Sequence, residues 1–348
     1  MRVDRRYTAT FSPSNKTCNK EREDMNKYYT VVLDTEGSDK GPAMVAEGAA
    51  LSLEKYPELK LVLVGNESAL RAEMEKRGAD ADRLSYINAT EVITNYDNPS
   101  VALFTKRDSS LVKALEAVST NDEYVGMVNA GSTGALLAGS LRYLATPDMK
   151  RPALAAVLPA ESGGFTALVD TGATIDCTPA QLVHFAHLGK EFIKTLYGVE
   201  NPRIGILSNG KEEGKGNKLV KEAYQLLKAE RELNFVGNIE GTNALSGDCD
   251  VLVCDGFAGN QILKCTEGIA RRIIKDIVVF SKKTGDESVM RVVGHLMKLY
   301  DFNSLGGGVV LGVRKPVVKA HGAANEQSIV STVGIVLNLA KNKKIEYK

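Results

Sequence analysis

The sequence predicts an α/β protein: a mostly parallel sheet with helices on both faces, arranged as three αβα layers. Two observations carry this expectation. Short β-branched runs bounded by Gly, Asp or Asn recur along the chain, as strands buried on both faces should. Segments of helical period lie between many of them. A strand at 29–33 precedes a helix at 43–55, and a strand at 59–64 precedes a helix at 67–77. A helix at 110–119, a strand at 124–128 and a helix at 133–144 follow. Strands at 154–157 and 167–169 lead into a helix at 179–196, and further strands occupy 203–207 and 250–254. A helix runs from Asn260 to about Phe280, with a helical tip near 281–303. Such alternation implies βαβ units. No internal repeat or linker interrupts it, so residues 28–348 read as a single α/β domain.

Composition bounds the function. Apolar residues make up 43% of the 348 and charged residues 25%, which is ordinary for a soluble globular protein. A formal net charge of +1 argues against a generalised nucleic-acid binder, which shows a basic excess. Five cysteines form no C-x-x-C pair, which favours reduced thiols over a disulfide framework. No apolar run approaches the roughly 18 residues needed to span a bilayer. Residues 1–27 are polar and aperiodic, and Met25 stands just before the first strand, so this stretch reads as a disordered extension or a misassigned start.

Three strand-to-helix turns are rich in glycine: around Gly131 and Gly134, between Gly210 and Gly216, and around Gly256 and Gly259. In open parallel sheets ligands bind at the carboxyl ends of strands, where helix N-termini offer free N–H groups to anions. Phosphate is the expected anion. The obvious nucleotide motifs fail, however. Gly210-Lys-Glu-Glu-Gly-Lys-Gly216 has three residues between its glycines where a Walker loop needs four, and Gly216 stands where Ser or Thr belongs. Leu311 occupies the last glycine position of a G-x-G-x-x-G pattern. His184 and His187 lack the ligand set of a zinc site, and G-x-S-x-G is absent.

Asn129-Ala-Gly-Ser-Thr-Gly-Ala-Leu136, Asp255-Gly-Phe-Ala-Gly-Asn260 and Lys319-Ala-His-Gly322 occur in this order. With Lys106-Arg-Asp-Ser-Ser110, the 170–176 segment and Glu212-Glu-Gly-Lys-Gly-Asn217, the set resembles the bacterial phosphate acyltransferases of phospholipid synthesis (the PlsX family). The resemblance covers about residues 28–325. Two departures stand out: Asp34-Thr-Glu-Gly-Ser-Asp39 replaces the family's D-A-M-G-G-D, and Ala323 and Ala324 replace two serines.

The resemblance implies an isocitrate/isopropylmalate-dehydrogenase-like architecture related to phosphotransacetylases. It implies transfer of an acyl group from acyl-carrier protein to inorganic phosphate, with no cofactor and no metal. The product would serve a membrane glycerol-3-phosphate acyltransferase. A cytoplasmic homodimer with peripheral contact at the inner face of the plasma membrane is implied as well. His321, Asn260, Asp255 and Lys215 are the expected catalytic residues. Expected substrate or phosphate contacts are Asp34, Asp39, Lys106, Asp108, Ser109, Gly131, Ser132, Thr133, Gly134, Asp170, Asp176, Asn217, Gly256, Gly259, Lys264 and Gly322.

Two further expectations come from helical periodicity. Lys264, Arg271, Lys275 and Lys282 share one helix face opposite Ile262, Ile269, Ile273 and Phe280. The stripe formed by Arg271, Lys275 and Lys282 suits an acidic carrier protein or an anionic membrane surface. In the tip, Val289, Val293 and Leu296 mark a dimer or membrane contact. Competing functions are a phosphotransacetylase-like enzyme using coenzyme A thioesters, and a scaffold that binds phosphate or lipid precursors without turnover.

Overall fold

The computed structural model describes residues 28–146, 151–161, 163–286, 288–299, 307–320 and 324–342. Residues 1–27, His321 and Gly322 lie outside these. The first elements are β1 (Tyr29–Asp34), α1 (Pro42–Lys55), β2 (Leu59–Gly65), α2 (Glu67–Lys76), β3 (Leu84–Asn88) and α3 (Pro99–Thr105). Next come α4 (Ser110–Thr120), β4 (Tyr124–Asn129), α5 (Thr133–Tyr143), β5 (Ala153–Pro159), β6 (Phe165–Val169) and α6 (Pro179–Tyr197). Then follow β7 (Arg203–Ser208), α7 (Lys218–Ala229), β8 (Asn234–Glu240), β9 (Val251–Val253), α8 (Gly256–Thr284) and α9 (Val289–Leu299). The last are β10 (Gly308–Leu311), β11 (Val317–Lys319) and α10 (Glu326–Lys341).

The described residues fall into two compact units, one within 28–152, 195–198 and 307–342, the other within 153–194 and 199–299. The first is built on strands in the order β3-β2-β1-β4-β11-β10. Its pairs are parallel except β10 with β11. Val31, Val32, Leu33, Leu61, Val62 and Leu63 are all buried, which is why these strands read as unbroken apolar runs. Helices α1 and α10 pack together so closely that a Cβ on Gly48 would lie 2.5 Å from Ile329 Cβ. Helices α4 and α5 form a second helical layer.

The second unit has the strand order β5-β6-β9-β7-β8, again parallel except for one pair, β5 with β6. Helix α8 is 29 residues long, starts on the N-cap Asp255 and stops at Gly285 in the left-handed conformation. Ile269, Ile273, Val279 and Phe280 on α8 are exposed, as are Met290, Val292 and Met297 on α9. Among the described residues, no helix is long and apolar enough to cross a membrane. Cys249 and Cys254 are buried, Cys177 is half-buried and Cys265 is exposed on α8.

The mixed α/β class with mostly parallel strands is the one expected from sequence. Strands β3, β8 and β10 were not anticipated. β3 and β8 each sit at the edge of their unit's strand order with a half-exposed pattern and carry no continuous apolar run, and β10 is only four residues long.

Candidate active site

In the first unit, three strand ends come into register: Asp34 of β1 opposite Asn129 of β4, and Asn129 opposite Lys319 of β11. All three are buried. Asn129 Nδ2 donates to Asp34 Oδ2 at 2.6 Å, and the Glu36 N–H donates to Asp34 Oδ1 at 3.2 Å. Burial pushes the Asp34 carboxyl up to about 6, against hydrogen bonds from Ser110, Asn129 and the Glu36 N–H. Lys319 Nζ donates to the Ala320 carbonyl. Among the described residues, Asn129 Oδ1 and Ser109 Oγ find no partner.

The turn after β4 opens α5. Ser132 is its N-cap, accepting from the Ala135 N–H at 3.5 Å. Among the described residues, no acceptor meets the N–H groups of Gly131, Thr133 and Gly134. The first turn, after β1, closes on this one. Gly37 has φ 78°, and a Cβ there would lie 2.9 Å from Gly131 Cα, so only glycine fits. Asp39 is exposed. Lys106 and Asp108 are committed to local structure. Lys106 Nζ holds Asp97 at 2.8 Å and the Val92 carbonyl at 3.0 Å. Asp108 accepts from the Thr90 N–H at 2.9 Å and pairs with Lys113 at 2.5 Å. The Lys113 ammonium, with Thr90, holds the Asp108 carboxyl down at about 2. Ser109 occupies the N-cap position of α4 without making a side-chain cap bond.

In the second unit, the chain turns at Asp170 after β6, across a cis Val169–Asp170 peptide. Asp170 Oδ1 accepts from the N–H groups of Leu154, Gly172 and Ala173 at 2.8, 3.2 and 3.1 Å. Its Oδ2 accepts from the Thr174 N–H at 2.7 Å. Burial still pushes this carboxyl above its ordinary value. The start of α8 packs on this turn. A Cβ on Gly256 would lie 2.7 Å from both Asp170 Oδ2 and the Thr174 carbonyl, and one on Gly259 would strike the Asp170 carbonyl.

The α8 start differs from the α5 start. Gly256 N–H donates to Thr174, Ala258 N–H to the Asp255 side chain and Gly259 N–H to the Asp255 carbonyl. These N–H groups are therefore spent on protein acceptors, unlike those of Gly131, Thr133 and Gly134. Asn260 stands over the Asp170 turn, its Oδ1 about 4.0 Å from where a Gly172 Cβ would sit. Asn217 caps α7 through the Val220 N–H at 2.9 Å, while Lys215 and Asp176 are exposed.

A cavity of about 610 Å³ opens at the carboxyl ends of β7 and β9. Leu182, Leu207, Val220, Cys254, Ala258 and Ile262 give it an apolar wall, and Ser208, Asn209, Asn217 and Asp255 line it with polar groups. Burial, ahead of the Asp170 and Asp255 charges, pushes the Cys254 thiol well above its ordinary value. Among the described residues, no three His, Cys, Asp or Glu gather into a group suited to a metal ion.

Residues 29–346 match the protein family described as fatty acid synthesis protein. A phosphate acyltransferase of Halothermothrix orenii is 39% identical over 316 residues, covering 88% of this chain and 93% of the relative. One of Clostridium perfringens is 38% identical over 309 residues, covering 87% and 91%. The chain belongs to the phosphate acyltransferase family. A solved phosphotransacetylase from Streptococcus pyogenes superposes with a TM-score of 0.61 at 17% identity, covering 92% of this chain and 96% of that one. That likeness shows a shared fold.

Two residues of this chain escaped the list of site candidates drawn from sequence. Asn129 and Lys319 lie inside the recognised motifs, yet their place beside Asp34 follows from strand register. The basic stripe of α8 is also less uniform than its periodicity implied. Lys264 pairs with the buried Glu267 at 3.0 Å and Arg271 approaches the same carboxylate at 3.7 Å, while Lys275 and Lys282 are exposed. On α9, Val293 is buried and Val289 and Leu296 are half-buried. Lipid would therefore meet Met290, Val292 and Met297 before Val293.

Proposed function

We propose that this chain transfers a fatty acyl group from acyl-carrier protein to inorganic phosphate, giving an acyl-phosphate for phospholipid synthesis. A phosphate oxygen attacks the thioester carbonyl carbon. The new C–O bond forms, the C–S bond breaks, and sulfur departs as a thiolate that takes up a proton. Thioester and acyl-phosphate are both activated acyl groups, so the exchange balances without ATP or an electron carrier. Near neutral pH much of the phosphate is already a dianion, so the protein's task is to position it and to stabilise the tetrahedral oxyanion.

The observation that carries this reading is that the N–H groups of Gly131, Thr133 and Gly134, at and just before the first turn of α5, meet no acceptor among the described residues, in a chain of this family. Such donors, aligned with the helix dipole, suit a phosphate dianion. Lys215, Asn217 and Asn260 supply polar contacts to the acyl donor, and His321 protonates the departing thiolate. Exposed Lys275 and Lys282, with Arg271, receive the acidic carrier protein. The exposed apolar side chains of α8 and α9 support a homodimer and a peripheral contact with the cytoplasmic membrane face.

The test is incubation of purified protein with acyl-carrier-protein thioester and phosphate, trapping acyl-phosphate with hydroxylamine. Phosphate-dependent acyl hydroxamate is the expected result. Product from acyl-coenzyme A alone would replace this reading with a phosphotransacetylase-like one. No product from either donor would leave a phosphate-binding scaffold.

A further inference from the structure

We infer that the cavity between β7, β9, α7 and α8 holds the fatty acyl chain of the thioester donor, with Ala258 and Ile262 on α8 setting the chain length accepted. This inference rests on the acyltransferase reading and names the substrate part that this unit takes.

Charge excludes most other guests. Among the described residues no Lys, Arg or His lines the cavity, and Asp255 brings the one acidic side chain to its wall. The Cys254 thiol is held neutral by burial. Phosphate, a nucleotide or a free carboxylate would meet a like charge and no cation there. A neutral, largely apolar guest meets neither penalty. Leu182, Leu207, Val220, Ala258 and Ile262 offer it aliphatic contact along the wall.

Size and polarity fit the same guest. About 610 Å³ lies within the range of pockets that enclose small-molecule ligands. Ser208 lines this cavity, and its buried Oγ finds no partner among the described residues. A buried hydroxyl without a partner is costly, and the carbonyl of a thioester supplies the acceptor it lacks. An aliphatic tail with a carbonyl head thus matches both the wall and the hydroxyl.

Occupancy at the carboxyl ends of β7 and β9 also places the guest beside the motif residues Asp255 and Asn217. Ala258 and Ile262 are one helical turn apart on α8, so both face the tail. A larger side chain at position 258 shortens the space, and a smaller one at 262 lengthens it.

The experiment measures kcat/KM for acyl-carrier-protein donors of six to eighteen carbons with inorganic phosphate, in wild type, Ala258→Phe and Ile262→Ala. In Ala258→Phe the ratio of the sixteen-carbon to the six-carbon donor should fall at least tenfold, each excluded methylene being worth about fourfold. In Ile262→Ala the preferred length should move upward. Equal loss at every length in one variant, with an unmoved preference in the other, overturns the inference while leaving the acyltransferase reading intact.

A second arm needs no turnover. A hexadecyl thioether of pantetheine is titrated into the same proteins by calorimetry, with hexadecanoate as competitor. The thioether should bind wild type at least tenfold more tightly than Ala258→Phe. Hexadecanoate, which carries a charge that Asp255 repels, should compete poorly. A wild type that makes acyl-phosphate but binds the thioether no better than Ala258→Phe also overturns the inference. A wild type that neither turns over nor binds sinks both readings, and hexadecanoate binding more tightly than the thioether identifies a free fatty-acid site instead.

Discussion

Asn129 Nδ2 donates to Asp34 Oδ2 over 2.6 Å, tying together the carboxyl ends of two adjacent parallel strands through side chains hidden from solvent. The amide offsets part of the cost of burying the carboxylate, and the carboxyl still sits near 6. The native state therefore binds this proton more tightly than the unfolded chain, whose Asp titrates near 3.8. Stability from this linkage is fully present below about pH 4, falls as pH rises to about 6, and is flat above. Asp34→Asn removes the titration. Relative to that variant, wild type should lose about 3 kcal/mol between pH 4 and pH 7 in urea unfolding. A difference that stays constant across this range would rule the linkage out.

Thr133 is the first residue of α5, and Ser132 before it is extended, with ψ 120°. Proline is favoured at this position and compatible with such a predecessor. Thr133→Pro thus deletes one N–H without breaking the helix. The KM for phosphate should rise at least about tenfold, as for a lost hydrogen bond to a charged group, with stability changed by less than about 0.5 kcal/mol. An unchanged KM would move the phosphate site away from α5.

Asp170 satisfies four backbone N–H groups, and Gly256 packs against its Oδ2. Asp170→Ala should cost about 3 kcal/mol or more, because it strands those donors in a buried turn. Gly256→Ala should cost about 1–3 kcal/mol through the crowded Cβ. Because the Cβ collides with the carboxylate that the first variant deletes, the double variant should cost measurably less than the sum. Strict additivity in denaturant titrations would show that Gly256 acts independently of Asp170.

The carrier-docking reading makes Lys275→Glu the cleaner probe, since Arg271 already approaches Glu267. Lys275→Glu with Lys282→Glu should raise the KM for acyl-carrier protein about three- to tenfold at low salt and less at high salt. The KM for an acyl-pantetheine donor should not follow. Equal effects on both donors would point to the acyl site rather than the docking face.

What was legible in the sequence was whatever local pattern encodes. Strands β1, β2 and β4 are buried on both sides and announce themselves as apolar runs, while α2 and α4 show their period directly. Helix α8 extended beyond its expected start because Asp255, not Asn260, supplies the cap. Glycine content alone could not separate the α5 turn from the α8 turn. At Gly256 and Gly259 the missing side chain makes room for the Asp170 turn, whereas around Gly131 backbone donors meet no acceptor among the described residues. The row Asp34, Asn129 and Lys319 is a product of strand register, joining positions up to 285 residues apart that no local window compares.

The uneven burial of the thiols has a practical consequence. Cys249 and Cys254 are sealed in the interior, and Cys265 stands in solvent beside Lys264 on the long helix. In a Cys18→Ser background, a maleimide fluorophore will therefore settle mainly on α8, next to the proposed carrier landing strip. Cys265 thus offers a native attachment point for an optical reporter, and the arrival of a partner protein can be followed in real time by quenching of the dye there.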